Sequence, residues 1–239
     1  MLRTIMFFSY LVLHTIYTGY HLIIVYILGA LGMKEEQEAR ISSTARNWAR
    51  ALIRVSGSKV EVVGAELVPA EGAVLFVSNH QSNFDIALML GFVPRPKGFI
   101  AKIELKKIPI VSTWMTKMHS LFLDRQNMRK SVLTMRAAIE LLKAGHCLVL
   151  FPEGTRSKGG SMAQFKRGGL NIAEKAKVPV VPVTIVDSFK IMEGNQGLKI
   201  TPAQVKVFIS EPIYPSTLPP GEDLSDNVYG IIHSHLSKK

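Results

Sequence analysis

Two kinds of apolar pattern run along this chain. From residue 4 to residue 33 there is no Lys, Arg, Asp or Glu, and Leu, Ile, Val, Phe, Tyr and Met dominate. A helix needs roughly 20 apolar residues to cross a bilayer, so this run is long enough with residues to spare. Its middle is softer, with His14, Thr15, Thr18, Gly19 and His21. One tilted spanning helix accommodates it. So do two shorter helices that dip into one leaflet and turn near Thr18-Gly19. A cleaved signal peptide fits less well: Ala30-Leu31-Gly32 is a poor small-residue site, and the apolar region is about twice the usual length. Residues 34–53 then read as an amphipathic helix, with Ile41, Ala45, Trp48 and Leu52 at helical spacing. Arg40, Arg46, Arg50 and Arg54 accompany it, and Ser56-Gly57-Ser58 stops it. Those charges are expected on the cytoplasmic side, near anionic headgroups.

Beyond residue 55 the pattern changes to short apolar runs alternating with helical ones. Residues 60–63, 73–78, 99–101, 121–123, 147–151, 180–186 and 205–209 read as strands. Several are continuously apolar, as expected for strands covered on both faces. Residues 84–91, 107–118, 129–144 and 169–177 read as helices, with Asn127 able to cap the third and Gly145 to stop it. The tail, 212–239, is proline-rich and then weakly helical. Strand–helix alternation predicts an α/β sheet with helices on both sides. The chain divides into an N-terminal hydrophobic, membrane-associated segment with its basic helix, 1–54, and an α/β domain, 55–239.

Composition adds charge. Lys+Arg number 29 against 18 Asp+Glu, a net charge of +11. Such a surface attracts phosphate, carried by nucleic acid, anionic lipid or an acidic substrate. No nucleic-acid-binding motif accompanies the charge, and the apolar N-terminus speaks against that partner. The single cysteine, Cys147, lies in the apolar run Cys147-Leu148-Val149-Leu150-Phe151 and reads as a core residue in a reducing compartment.

Candidate chemistry sits at the ends of the strand runs. Asn79-His80-Gln81-Ser82-Asn83-Phe84-Asp85 follows the run Val74-Leu75-Phe76-Val77, so His80 falls just past a buried strand, where α/β sheets place functional residues. A histidine with an ordinary pKa near neutrality suits a general base, and a carboxylate on one ring nitrogen fixes its tautomer. Five residues along a regular helix separate side chains by about 140°. His80 and Asp85 can therefore meet only if His80 precedes the helix and Asp85 lies in its first turns. The competing reading makes His80 a helix cap and Asp85 a complement to the helix dipole. No Gly-x-Ser-x-Gly elbow, H-E-x-x-H pair or paired-cysteine metal site accompanies them. A base without a protein nucleophile must activate something the substrate brings, and an alcohol or water attacking an activated acyl group fits that role.

Phe151-Pro152-Glu153-Gly154-Thr155-Arg156-Ser157 follows another strand run. Its glycine lets backbone approach a ligand, and Arg156 offers a planar fork for phosphate. Glu153 suits glycerol hydroxyls or orientation of Arg156, and a plain Glu153–Arg156 ion pair is the alternative. Phe165-Lys166-Arg167-Gly168-Gly169 adds two cations at a helix start. Arg125, after Leu121-Phe122-Leu123-Asp124, either reaches the same phosphate or pairs with Asp124. Lys102 is a further strand-end cation. Pro182, in Val181-Pro182-Val183, is awkward in a paired strand and implies an edge, a bulge or the wall of an acyl-chain tunnel.

These elements, in this order over residues 60–190, resemble the 1-acylglycerol-3-phosphate acyltransferase family, and the Phe151–Ser157 block is the most specific part. The resemblance implies a mixed, largely parallel sheet flanked by helices on the cytoplasmic membrane face, anchored by an N-terminal hydrophobic helical segment. It implies that His80 is the base and Asp85 its partner. It implies that Arg125 contacts the acceptor's phosphate, that Glu153, Gly154, Thr155 and Arg156 shape the glycerol phosphate site, and that Lys102 serves phosphate. The implied reaction moves an acyl chain from acyl-CoA or acyl carrier protein, as co-substrate, to the free hydroxyl of a lysophospholipid, with no metal or other cofactor. Another acceptor, such as glycerol 3-phosphate or a lyso-ornithine lipid, uses the same chemistry. A non-catalytic lipid-binding module on the same fold is the rival of another class.

Overall fold

The computed structural model describes residues 1–237, the Arg167 side chain aside. The apolar N-terminus is one unbroken helix, α1 (Leu2–Ala30). A short turn follows, and α2 (Lys34–Ser56) runs back along it until Gly57 ends the helix at a φ of 78°. The pairing is antiparallel: the Arg3 guanidinium donates to Ser56 O, Trp48 Nε1 to Thr15 Oγ1, and Gln37 Nε2 to Val25 O. Of the alternatives for the apolar run, the helix follows the unbroken one and does not turn near Thr18-Gly19. Thr18 turns its hydroxyl back to Thr15 O and accepts a hydrogen bond from the Trp114 indole, and Thr15 Oγ1 accepts from the Trp48 indole, so both threonine hydroxyls find partners without interrupting the helix.

The remaining elements are β1 (Lys59–Val63), β2 (Leu75–Ser78), α3 (Phe84–Phe92), β3 (Gly98–Lys102), α4 (Pro109–Lys117), β4 (Leu121–Leu123), α5 (Met128–Lys143), β5 (Leu148–Leu150), α6 (Asn171–Ala176), β6 (Val180–Val186), β7 (Gln204–Ile209) and α7 (Leu224–Ser237). The strands form one sheet in the order β1-β7-β6-β2-β5-β3-β4. All neighbours are parallel except β6 and β7. The sheet is thus mixed and largely parallel. Asn127 caps α5 by accepting from Lys130 N, as its sequence position predicts.

Side chains alternate across the sheet, as strand geometry requires. Val74 and Phe76 of the β2 segment join an apolar cluster with α2 and α3; Leu75 and Val77 join another with α5, α6 and α7. Phe7, Ala49, Leu52 and Ile53 belong to the first cluster, so the N-terminal helix pair shares the sheet's core. The outer face of α1 carries Leu13, Ile16, Tyr20, Ile23 and Ile27, all more than half exposed.

Pro182 lies inside β6, between β2 and β7, and not at an edge. Val180 exchanges both backbone bonds with Ile213, and Pro182 O accepts from Ser210 N at 3.0 Å, so these residues face the β7 side. Pairing moves from Val180↔Ile213 to Val183↔Ile209, which sets residues 210–212 opposite residues 181–182. The proline's missing N–H falls at this bulge.

Candidate active site

β2 is the fourth of the seven strands, with parallel β6 on one side and parallel β5 on the other. Chemistry in such sheets gathers beyond the carboxyl ends of the strands, and the His80 loop leaves from there. Its departure is fixed by Asn79. That amide exchanges two 2.8 Å bonds with the backbone of Ile185 in β6, replacing ladder bonds the loop gives up. His80 is then held at both backbone atoms by the loop after β5: its N–H donates to Glu153 Oε1 at 2.6 Å, and its carbonyl accepts from Ser157 N at 2.8 Å.

His80 precedes α3 and Asp85 lies in its first turn, the one arrangement that lets them meet. His80 Nδ1 is 2.8 Å from Asp85 Oδ2. Asp85 is wholly buried, and Oδ2 also accepts from the N–H groups of Gln81 and Ser82. The Ser188 hydroxyl donates to Oδ1 at 2.5 Å. With two N–H groups and one hydroxyl already donating to its two oxygens, Asp85 meets the histidine as an acceptor. A carboxylate only accepts, so His80 carries its proton on Nδ1 and leaves the Nε2 lone pair free. Asp85 both orients the histidine and binds the backbone at the helix start, so the two readings of the sequence coexist. The imidazole is 18% exposed and stacks on Phe151, with centroids 4.2 Å apart at 20°.

Glu153 lies beneath the histidine. It is 3% exposed, and its second oxygen accepts from Ala163 N at 2.9 Å. Burial raises its pKa, against the opposing pull of the two N–H bonds. Its carboxylate holds backbone on both sides of the loop and does not pair with Arg156. Arg156 instead binds Glu193 at 2.9 Å, and Glu193 also accepts from Ser82 Oγ and Asn83 N. That chain of contacts ties Arg156 to the start of α3. Arg125 is not paired with Asp124 either. Its guanidinium donates to the carbonyl of Gly154, whose φ of 75° is a conformation that favours glycine. Thr155 is exposed beside them, and Lys102 is exposed at the end of β3.

An apolar cavity of about 280 Å³ opens between α1, α2, α3 and α4, walled by Trp48, Phe99, Trp114 and Met118 among others. Asn83, three residues beyond His80, stands at its lining. Both indole N–H groups are capped by Thr15 and Thr18 of α1, so the walls present carbon. Val181-Pro182-Val183 takes no part in this lining.

Sequence reasoning missed Phe151 as the stacking partner, Glu193, and Ser188. Ser188 and Glu193 lie 103 to 111 residues from Ser82, Asn83 and Asp85, which they bind, and a motif of neighbouring residues carries no sign of them.

Residues 59–186 match the family described as Acyltransferase. The chloroplastic 1-acyl-sn-glycerol-3-phosphate acyltransferase of Brassica napus is 39% identical over 160 residues, which cover 66% of this chain and 46% of that protein. The chain thus spans less than half of that relative's length. The 1-acyl-sn-glycerol-3-phosphate acyltransferase of Helicobacter pylori is 33% identical over 180 residues, 74% of each chain. The crystal structure of the 1-acyl-sn-glycerophosphate acyltransferase of Thermotoga maritima superimposes with a TM-score of 0.88 at 32% identity, covering 99% of this chain and 94% of that one. Fold, motif order and matched length agree: the chain belongs to the 1-acylglycerol-3-phosphate acyltransferase family, a family of O-acyltransferases.

Proposed function

We propose that this protein transfers a fatty acyl chain from acyl-CoA or acyl carrier protein to the free hydroxyl of 1-acylglycerol 3-phosphate, giving phosphatidic acid. The observation that carries this reading is the His80–Asp85 pair, in which a buried carboxylate with four donors leaves one imidazole nitrogen free at a strand end. His80 Nε2 takes the proton of the acceptor hydroxyl as its oxygen attacks the thioester carbonyl. The tetrahedral intermediate collapses with loss of the thiolate, which takes the proton back from the imidazolium. No acyl-enzyme and no cofactor beyond the donor are needed.

The cations beside the histidine hold the acceptor's phosphate. Arg125 and Arg156 are anchored by Gly154 and Glu193, so neither must be ordered at binding. Lys102, exposed at the end of β3, is the third cation assigned to that phosphate. Glu153 contributes by fixing His80, and the cavity over Asn83 receives an acyl chain. We read α1 as lying in one leaflet. Its inner face is packed on α2 and α4, and its outer face is apolar. The basic surface and the cytoplasmic thioester donor of this reading support a catalytic side that faces the cytoplasm.

The test is thiol release from acyl-CoA, or from acyl carrier protein, with a panel of lysolipids in detergent. Wild-type protein is expected to favour 1-acylglycerol 3-phosphate. His80→Ala should lose about 10²–10⁴-fold in kcat with its fold intact. Near-normal turnover in that variant would reject the base assignment, and lipid binding without thiol release would support a non-catalytic module.

A further inference from the structure

Lys166 lies on the loop between β5 and α6. Its backbone N–H donates to Pro152 O at 3.1 Å, which moors it to the turn that carries Glu153 and Gly154. Its exposed side chain reaches over Gly154: a Cβ built on that glycine would lie 3.1 Å from Lys166 Nζ and 3.5 Å from Arg125 Nη1. The two cationic nitrogens therefore lie within about 6.6 Å of each other. Neither forms an ion pair among the described residues. The nearest acid in the chain, Glu153, directs both oxygens elsewhere, to His80 N and Ala163 N. Two like charges gathered over one glycine, with no carboxylate between them, repel each other until an anion enters. The glycine leaves the space in which that anion would sit.

We infer that Lys166 is a specificity-determining residue: with Arg125 it clamps a phosphate monoester and sets it apart from a phosphate diester. This rests on the acyltransferase reading above. A monoester carries close to two negative charges at neutral pH and three free oxygens, whereas a diester carries one charge and two. A pair of cations gains most from the doubly charged group, with Arg125 supplying a planar fork and Lys166 a point charge. The acceptor so selected is a lysolipid whose phosphate bears no further headgroup.

The experiment compares wild type, Lys166→Gln and Lys166→Arg, with acyl-CoA as donor and either 1-acylglycerol 3-phosphate or its diester analogue, 1-acylglycerophosphoglycerol, as acceptor in detergent micelles. Lys166→Gln should raise KM for the monoester by about 10- to 100-fold, the weight of one hydrogen bond to a charged group. The monoester's advantage over the diester should shrink by a similar factor. The donor's KM should be unchanged, and Lys166→Arg should recover most of the loss. Thermal melting controls for folding, and the exposed site predicts little change. An unaltered monoester KM overturns the proposal. So does a rise confined to the donor, which would assign Lys166 to the thioester's phosphates, or an equal loss on both acceptors. If wild type transfers nothing to 1-acylglycerol 3-phosphate, the acyltransferase reading fails and the clamp with it. If wild type transfers and Lys166→Gln matches it, only the clamp fails.

Discussion

Asp85 shows how one buried charge is made both stable and useful. Its four donors come from Gln81, Ser82, His80 and the distant Ser188, and removing any one leaves a charged acceptor short of a partner. Ser188→Ala should lower stability by about 1.5–3 kcal/mol, the worth of a hydrogen bond to a charged group, read from denaturant melts. It should lower kcat far less than His80→Ala, because His80 Nδ1 keeps its own oxygen. Asp85→Asn should do more. An amide cannot accept all four bonds and can present N–H to His80, which would draw the proton off Nδ1 and occupy the free nitrogen with it. A loss of about 10³–10⁴ in kcat is expected, and a variant retaining a tenth of wild-type rate would contradict the tautomer argument. At the second cation, Glu193→Gln should release Arg156 and raise KM for the acceptor more than for the donor. Arg156→Ala should do the same, and an equal effect on both substrates would remove the phosphate role. His80 and Asp85 were legible because they are five residues apart, within reach of a local spacing rule. Ser188 and Glu193 complete the same unit from over a hundred residues away, where only the fold supplies the connection.

Among the elements, the buried strands β2, β5 and β6 announced themselves as continuous apolar runs, and α5 through its cap and glycine stop. The bulge opposite Pro182 was legible only as a choice among three outcomes, since a missing N–H says that pairing is interrupted and not where the partner strand runs. The end of α3 was not legible at all. Lys97 is 5% exposed, and its ammonium donates to the carbonyls of Met89, Val93 and Arg95 while lying over the Phe76 ring. It caps the helix from beyond its end, a role that apolar surroundings at residues 98–101 give no reason to expect. Burial lowers its pKa from 10.5 to about 7. Unfolded, the lysine titrates near 10.4. Between those values the unfolded chain holds the extra proton, so stability should rise with pH through this window. The slope approaches about 1.4 kcal/mol per pH unit at its steepest, or roughly 2 kcal/mol from pH 7 to pH 9. Lys97→Met should be less stable throughout, because three carbonyls lose their donor, and its stability should lack this rise. Parallel pH profiles for the two proteins in urea would show that Lys97 stays charged in the fold.

For the whole molecule, the sequence announced an α/β sheet and an apolar N-terminus, but not how they are joined. α1 could have stood free of the domain or doubled back on itself. Instead Phe7, Thr18, Leu22 and Val25 face inward, and Leu13, Ile16, Tyr20, Ile23 and Ile27 recur at helical spacing on the outside. A helix surrounded by lipid would have to abandon the inward contacts, including the Trp48 and Trp114 indole bonds. A helix in one leaflet keeps them and immerses only its outer stripe. Those five side chains are already more than half exposed, so each gains about 1 kcal/mol on immersion. The net charge of +11 adds attraction to anionic headgroups. Ile16→Glu with Ile23→Glu places two carboxylates in that stripe without touching the apolar cavity, whose α1 lining comes from Thr15 and Thr18. In vesicle sedimentation the double variant should lose at least about tenfold in partitioning to bilayers containing anionic lipid. Its turnover of acceptor presented in those vesicles should fall in step, and its turnover of acceptor in detergent should stay within about twofold. Equal losses in both presentations would mean that the outer face of α1 supports the catalytic core and not its attachment. Unaltered partitioning that vanishes in high salt would move the attachment to the basic surface, because screening weakens charge attraction and leaves apolar immersion intact.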